Sequence, residues 1–217
     1  MSLMKKMPFV FCLDLEGILL PEIWIQVARW FGVEALKRTT RDEPDYDKLM
    51  RTRLVLLRKE GIRLKEIQRV IGRMQPLPGA AAFLNRLRAK GPAIILSDTY
   101  YEFAGPIMGK LGHPALLCNC LEADRKGFIS GYFLRQKNGK RNAVRALKGL
   151  GFEVRAVGDS YNDLGMLKAA DRGVFFNPPM AIRKQYPRLP VARDYKELLK
   201  VLTRYDVPKG LQVRRTE

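Results

Sequence analysis

Phe9-Val10-Phe11-Cys12-Leu13-Asp14-Leu15-Glu16-Gly17 is the stretch whose reading decides the fold. Five apolar residues in a row read as a short strand buried on both faces, as in a parallel sheet. The strand runs straight into two carboxylates, Asp14 and Glu16, and then a glycine. Residues i and i+2 of a strand point the same way, so the two acids converge at its tip. Like charges at a poorly solvated tip repel, and something must compensate for them. A divalent cation is the obvious candidate, because hard cations take carboxylate oxygens. The alternative is a plain strand-to-loop exit with solvated acids.

Outward from this stretch, further apolar runs read as buried strands at 93–96, 115–117, 154–157 and 173–176. Helical patterns separate them at 79–90, 100–111, 142–150 and 162–170. Such alternation predicts an α/β fold with a doubly wound parallel sheet. Ligands of these sheets sit beyond the carboxyl ends of the strands, and the polar clusters here follow the first, second and fourth of the runs. Residues 21–75 interrupt the alternation with three or four helices and no strand, which predicts a helical cap subdomain. Pro76-Leu77-Pro78-Gly79 is a natural return linker. The expected division is a core domain of residues 1–20 and 76–217 with a cap of residues 21–75. The stretch 121–136, with glycine breaks and alternating residues, reads as a β-hairpin excursion.

Composition narrows the chemistry. At 217 residues the chain can bury a sizeable core. No apolar run reaches the roughly 18 to 20 residues that span a bilayer. The two lysines near the N-terminus are followed by one strand's worth of apolar residues rather than a signal segment, so the expectation is a cytoplasmic protein without a membrane partner. Cys12, Cys118 and Cys120 form no C-x-x-C pair and read as small buried hydrophobes. The single histidine, His113, lies in a turn context, Gly112-His113-Pro114. A His-rich metal site is thereby excluded and a Ser-His-Asp mechanism disfavoured, leaving carboxylates, a lysine or a metal to carry any catalysis. With 40 basic and 22 acidic residues the net charge is +18, which attracts anions such as phosphates, nucleic acid or acidic lipids. The basic residues are spread out, and the largest local excess, 48–73, alternates with apolar residues as a solvated helix face would. No nucleic-acid module or interleaved aromatics accompany them, so nucleic acid is a disfavoured partner.

Four other constellations could carry chemistry. Gly158-Asp159-Ser160-Tyr161-Asn162-Asp163 follows the apolar run Val154-Arg155-Ala156-Val157, so a second strand ends on carboxylates. Two acidic clusters at the tips of one sheet could share a cation. Asp159 or Ser160 as N-cap, with Asp163 in the first turn, equally fits a helix start, and the two roles are compatible. Ser97-Asp98-Thr99 closes Ile94-Ile95-Leu96, where a hydroxyl and helix-start N–H groups could cradle a phosphate oxygen, although these residues are also common N-caps. Lys140 stands at a helix start, facing the positive end of the dipole, which is unfavourable unless an anion is near; an exposed loop lysine is the alternative. Arg53 falls near the middle of an apolar stripe formed at about 100° per residue by Tyr46, Leu49, Met50, Leu54, Leu56 and Leu57. An arginine so placed must pair, snorkel or meet an anion, and it could grip a carboxylate or phosphate. Glu22 follows Pro21 at a helix start, where helix-end stabilisation is the simpler role.

The ordered set D-x-[DE]-G, Ser-Asp-Thr, Lys and G-D-x-x-N-D resembles the haloacid dehalogenase superfamily of phosphotransferases. Pro21-Glu22-Ile23-Trp24-Ile25, Thr39-Thr40-Arg41-Asp42, Pro44-Asp45-Tyr46-Asp47, Leu96-Ser97-Asp98-Thr99-Tyr100-Tyr101-Glu102-Phe103 and Leu134-Arg135-Gln136-Lys137 extend the match. With them, residues 8–205 resemble the bifunctional phosphoserine phosphatase/homoserine phosphotransferase family. The resemblance implies a Mg²⁺-dependent enzyme with Asp14 as nucleophile and metal ligand. Glu16 would be the general acid/base, its backbone carbonyl also near the metal. Asp159 would be a further ligand and Asp163 would support the metal's water. Ser97, the Asp98 amide and Lys140 would hold the phosphoryl group. Glu22, Arg53 and Asn162 would contact the substrate, Glu22 its ammonium and Arg53 its carboxylate. L-Phosphoserine is the implied substrate, homoserine an implied second acceptor, and a homodimer the implied assembly. Two departures stand out: Glu16 is one methylene longer than the superfamily's usual acid, and Ile18 replaces the usual Thr or Ser. Competing expectations are a related phosphatase for a sugar phosphate or nucleotide, and a basic nucleic-acid-binding protein.

Overall fold

The computed structural model describes residues 8–39, 42–43 and 45–204. Thr40, Arg41 and Pro44 of the quoted motifs lie outside the described residues. In chain order the elements are β1 (Phe9–Leu13), α1 (Ile23–Phe31), α2 (Tyr46–Lys59), α3 (Leu64–Arg73), α4 (Ala80–Arg88), β2 (Ala93–Tyr100), α5 (Tyr101–Met108), β3 (Ala115–Ala123), β4 (Ile129–Phe133), α6 (Gly139–Gly149), β5 (Glu153–Gly158), α7 (Leu164–Ala169), β6 (Arg172–Phe176), α8 (Met180–Gln185), β7 (Val191–Ala192) and α9 (Tyr195–Thr203). Short 3₁₀ turns sit at Glu34–Lys37, Gly109–Leu111 and Tyr161–Asp163.

The strands form one sheet in the order β4-β3-β2-β1-β5-β6-β7. All neighbours pair in parallel except β3 and β4, which form the antiparallel hairpin. β1 is central, and side-chain alternation splits its residues between two cores. Phe11 and Leu13 join a cluster with α1, α2, α3, α4, α5 and α9, while Val10 and Cys12 face α6, α7 and α8. Helices therefore cover both faces, as the apolar strands require. Between β1 and α4 there are only helices and a 3₁₀ turn among the described residues. Their apolar faces, including Ile23, Val27, Met50, Leu57, Ile67 and Ile71, belong to the same cluster as Phe11 and Leu13. The helical segment thus shares the core of the sheet rather than enclosing one of its own.

Register places the site. Leu13 lies level with Ile95 of β2 and Val157 of β5, so β1 and β5 end side by side while β2 runs on beside them. The Asp14 N–H donates to the Val157 carbonyl at 3.0 Å and locks that alignment.

Several elements differ from the sequence reading. β2 does not stop at Leu96 but continues to Tyr100, with a register shift against β3 between Leu96 and Tyr100. Ser97, Asp98 and Thr99 are accordingly extended strand residues, and α5 starts only at Tyr101. β3 continues to Ala123, so the hairpin is a direct extension of the main sheet rather than an excursion from it. Cys12 and Cys118 are buried as expected, but Cys120 is exposed, one face of β3 being less covered near the hairpin. No helix among the described residues is long and apolar enough to cross a membrane.

Candidate active site

Asp14, at the tip of β1, is 6% exposed. Its Oδ1 accepts the Leu15 N–H at 2.7 Å. The chain then folds into a tight loop in which Gly17 donates to Leu20 O, while Leu19 and Leu20 both donate to Leu15 O. Gly17 has φ +76°, and a Cβ there would stand 2.5 Å from the Asp159 carboxylate. Only glycine lets this loop approach the acid at the tip of β5 so closely.

Lys140, in the first turn of α6, joins the strand tips. Its Nζ lies 2.9 Å from Asp14 Oδ1, 2.8 Å from Asp163 Oδ1 and 3.1 Å from Asp98 Oδ2. At 7% exposed it is no loop lysine; the anion that its position at a helix N-terminus demands is supplied three times over. Burial alone would push its pKa down, but Asp14, Asp163 and Asp98 outweigh burial and hold it well above the usual lysine range. Burial and then Asp163 push the Asp14 carboxyl well above the usual carboxylate range, against the opposing charge of Lys140.

Asp163 is fully buried, and its two oxygens divide the work. Oδ1 meets Lys140, while Oδ2 accepts the Asp159 and Ser160 N–H groups and the Ser160 hydroxyl at 3.0–3.1 Å. Ser160 and Asp163 cap the turn that presents Asp159, so the helix-start role is compatible with a place in the acidic cluster. Asp14, Asp159 and Asp163 each bring a carboxylate oxygen within 4.8 Å of the others. Three hard oxygen donors around one point suit Mg²⁺ or a similar cation.

The Glu16 side chain is not part of that trio. Its Oε2 accepts the Ile23 N–H at 2.8 Å, satisfying an orphan donor at the start of α1. Glu22, the residue flanking that helix, makes no side-chain cap bond, so Glu16 does the helix-end work expected of Glu22. Burial, followed by the Glu22 charge, raises the Glu16 pKa to about 8. A carboxyl that keeps its proton near neutrality is suited to acid catalysis.

Arg53, 5% exposed, lies on the buried face of α2. Its Nη2 donates to Arg38 O at 2.7 Å, its guanidinium carbon lies 4.3 Å from the Trp24 ring centroid, and its buried Nε has no partner. Glu16, Glu22, Tyr46 and Tyr100 all bear electrostatically on it. Ser97 is buried, and its hydroxyl accepts the Thr99 N–H at 3.2 Å. Asn162 is exposed on the turn between Ser160 and Asp163.

The structure thus gathers Asp14, Asp98, Lys140, Asp159 and Asp163, with Glu16 beside Glu22 and both acting on Arg53. Sequence reasoning missed the Asp98 side chain as a Lys140 partner. It also missed Asn119, whose Nδ2 donates to Asp98 O at 3.0 Å and whose Oδ1 accepts the Arg135 N–H. A polar residue inside the apolar strand run Leu116-Leu117-Cys118-Asn119 was the available signal.

Residues 15–168 match the family of haloacid dehalogenase-like hydrolases. The chain is 49% identical over 187 residues to phosphoserine phosphatase ThrH of Pseudomonas aeruginosa, covering 86% of this chain and 91% of that protein. It is 48% identical to a phosphoserine phosphatase of Pseudomonas syringae, covering 87% of this chain and 80% of that one. In fold it is similar to a phospho-aspartyl intermediate analogue of phosphoserine phosphatase, with a TM-score of 0.75 at 22% identity, over 91% of this chain and all of the other. With these matches added to the ordered acids and lysine at the strand tips, the chain belongs to the haloacid dehalogenase-like hydrolases.

Proposed function

We propose that the protein is a phosphoserine phosphatase working through an aspartyl-phosphate on Asp14. The observation that carries this is the buried Lys140, held between Asp14, Asp98 and Asp163 at a sheet tip, in a chain whose relatives at 48–49% identity are named phosphoserine phosphatases. A divalent cation, Mg²⁺ by ligand type, would be held by Asp14 and Asp159, with Asp163 and the Glu16 carbonyl in support, and would supply positive charge against the phosphoryl oxygens.

The chain's own residues then divide the reaction. An Asp14 oxygen forms a bond to phosphorus as the bond to the serine oxygen breaks, and Glu16 gives that oxygen its proton. Lys140 and the Ser97 hydroxyl, with the Asp98 N–H, hold the phosphoryl oxygens and offset their charge. In the second step Glu16, now ionised, takes a proton from the acceptor, whose oxygen displaces Asp14 from phosphorus. Water as acceptor gives phosphate; homoserine gives phosphohomoserine. Glu22, Arg53 and Asn162 contact the amino-acid part of the substrate, the first two offering one charge of each sign to a zwitterion. Helices α1, α2 and α3 act as a cap that excludes bulk water. The protein works in the cytoplasm, and assembly as a homodimer is part of the same reading.

The test is phosphate release from L-phosphoserine with Mg²⁺ or with a chelator, with and without homoserine. Metal-dependent release that Asp14→Asn abolishes supports the reading, and phosphohomoserine in the same reaction supports the transfer branch. Release from sugar phosphates or nucleotides but not from phosphoserine would replace the substrate.

A further inference from the structure

Tyr46 opens α2 and Tyr100 closes β2, and their hydroxyls meet at 2.6 Å. The pair ties the helical segment to the strand that carries Ser97 and Asp98. Tyr46 shares the inner face of α2 with Arg53, two turns further on. The pair stands among aromatic rings: Tyr132 packs edge-on against both tyrosines, and Phe103 packs against Tyr100 and Trp24. Trp24 in turn carries the Arg53 guanidinium.

A donor count gives this corner a purpose. Two phenols bring two O–H protons, and their mutual hydrogen bond uses one, whichever is the donor. Among the described residues the second proton has no partner. The buried Arg53 Nε–H beside it has none either. Tyr100 is buried and Tyr46 half-buried, and a donor left unpaired there costs stability unless a partner uses it. Burial pushes both phenols up, so they remain protonated donors at neutral pH. Nothing in the mechanism above uses these hydroxyls, since they stand on the Arg53 side of the site rather than at Asp14.

We propose that the Tyr46–Tyr100 hydroxyl pair donates to the substrate carboxylate beside Arg53, so that an amino-acid ester is recognised by an arginine and a phenol together. The inference rests on the phosphoserine reading and adds two specificity residues to it. The pair hydrogen-bonds the helical segment to the end of β2, so a carboxylate that takes its spare proton is held by a unit spanning both. A pair that merely latched the segment in place would serve every substrate alike.

The test compares L-phosphoserine with O-phosphoethanolamine, which keeps the phosphate and the ammonium and lacks only the carboxylate. Tyr46→Phe and Tyr100→Phe each raise KM for phosphoserine about tenfold more than KM for phosphoethanolamine, the size of one hydrogen bond to a charged group. The double variant is no worse than the more affected single one, because either change breaks the same unit. Equal rises in KM for both esters, or no rise for either, overturn the inference and leave the phosphatase reading standing. A wild-type protein that releases phosphate from neither ester overturns the phosphoserine reading, and the carboxylate receptor falls with it.

Discussion

Glu16 sets the pH behaviour of the site. Burial and the neighbouring Glu22 raise its pKa from 4.5 to about 8. As the acid that protonates the leaving oxygen it must hold its proton, so kcat for phosphoserine falls as pH rises through about 8. Glu22→Gln removes the neighbouring charge and moves that limb of the pH–rate profile to lower pH. The same shift has a stability consequence of defined sign. The folded state binds this proton more tightly than the unfolded chain, so the stabilisation is complete below pH 4.5 and is lost as pH rises through about 8. Lys140 is the other decisive residue. Lys140→Met leaves Asp14 and Asp163 facing each other without their cation, and breaking a buried ion pair costs about 3–5 kcal/mol. Added Mg²⁺ is expected to raise the melting temperature of this variant more than that of the wild type, as scanning calorimetry would show.

At the scale of elements, the tips of β1 and β5 were legible in the sequence because each apolar run ends abruptly on acids. The tail of β2 was not. Ser97, Asp98 and Thr99 have the composition of a helix cap, and only pairing beyond Leu96, through the shifted register with β3, holds them extended. The Glu16 bond to Ile23 was equally hidden, since it depends on the loop between them closing on itself. Tyr46 was seen as a member of an apolar stripe and of a family motif, but not as a partner of Tyr100, which lies 54 residues away. The loop after β1 supplies a direct test of element geometry. Gly17→Ala puts a Cβ against the Asp159 carboxylate and strains a left-handed residue, which costs about 1–2 kcal/mol. Activity is expected to fall by at least tenfold, on the order of 1.4 kcal/mol or more in transition-state stabilisation, with the fold intact by circular dichroism.

Over the whole molecule, the doubly wound order was readable from alternating strand and helix patterns, whereas the sharing of one core by the helical segment and the sheet was not. Periodicity tells which face of a helix is apolar but not what covers it. The charge was legible as a number and not as a distribution. Five of the 22 acidic residues, Asp14, Glu16, Asp98, Asp159 and Asp163, converge on the site with Lys140. The rest of the surface is therefore more basic than the net charge of +18 indicates. Such a field draws anionic substrates towards the protein. KM for phosphoserine is expected to rise with added NaCl, as the screening length shrinks from about 30 Å at 0.01 M to about 3 Å at 1 M. The central claim is that the phosphoryl group passes through Asp14. Its most direct test is rapid acid quenching during turnover of labelled L-phosphoserine, followed by peptide mapping. Label on the peptide carrying Asp14, absent in Asp14→Asn, is the predicted result; full turnover by the wild type with no covalent label, or by Asp14→Asn at the wild-type rate, would contradict it.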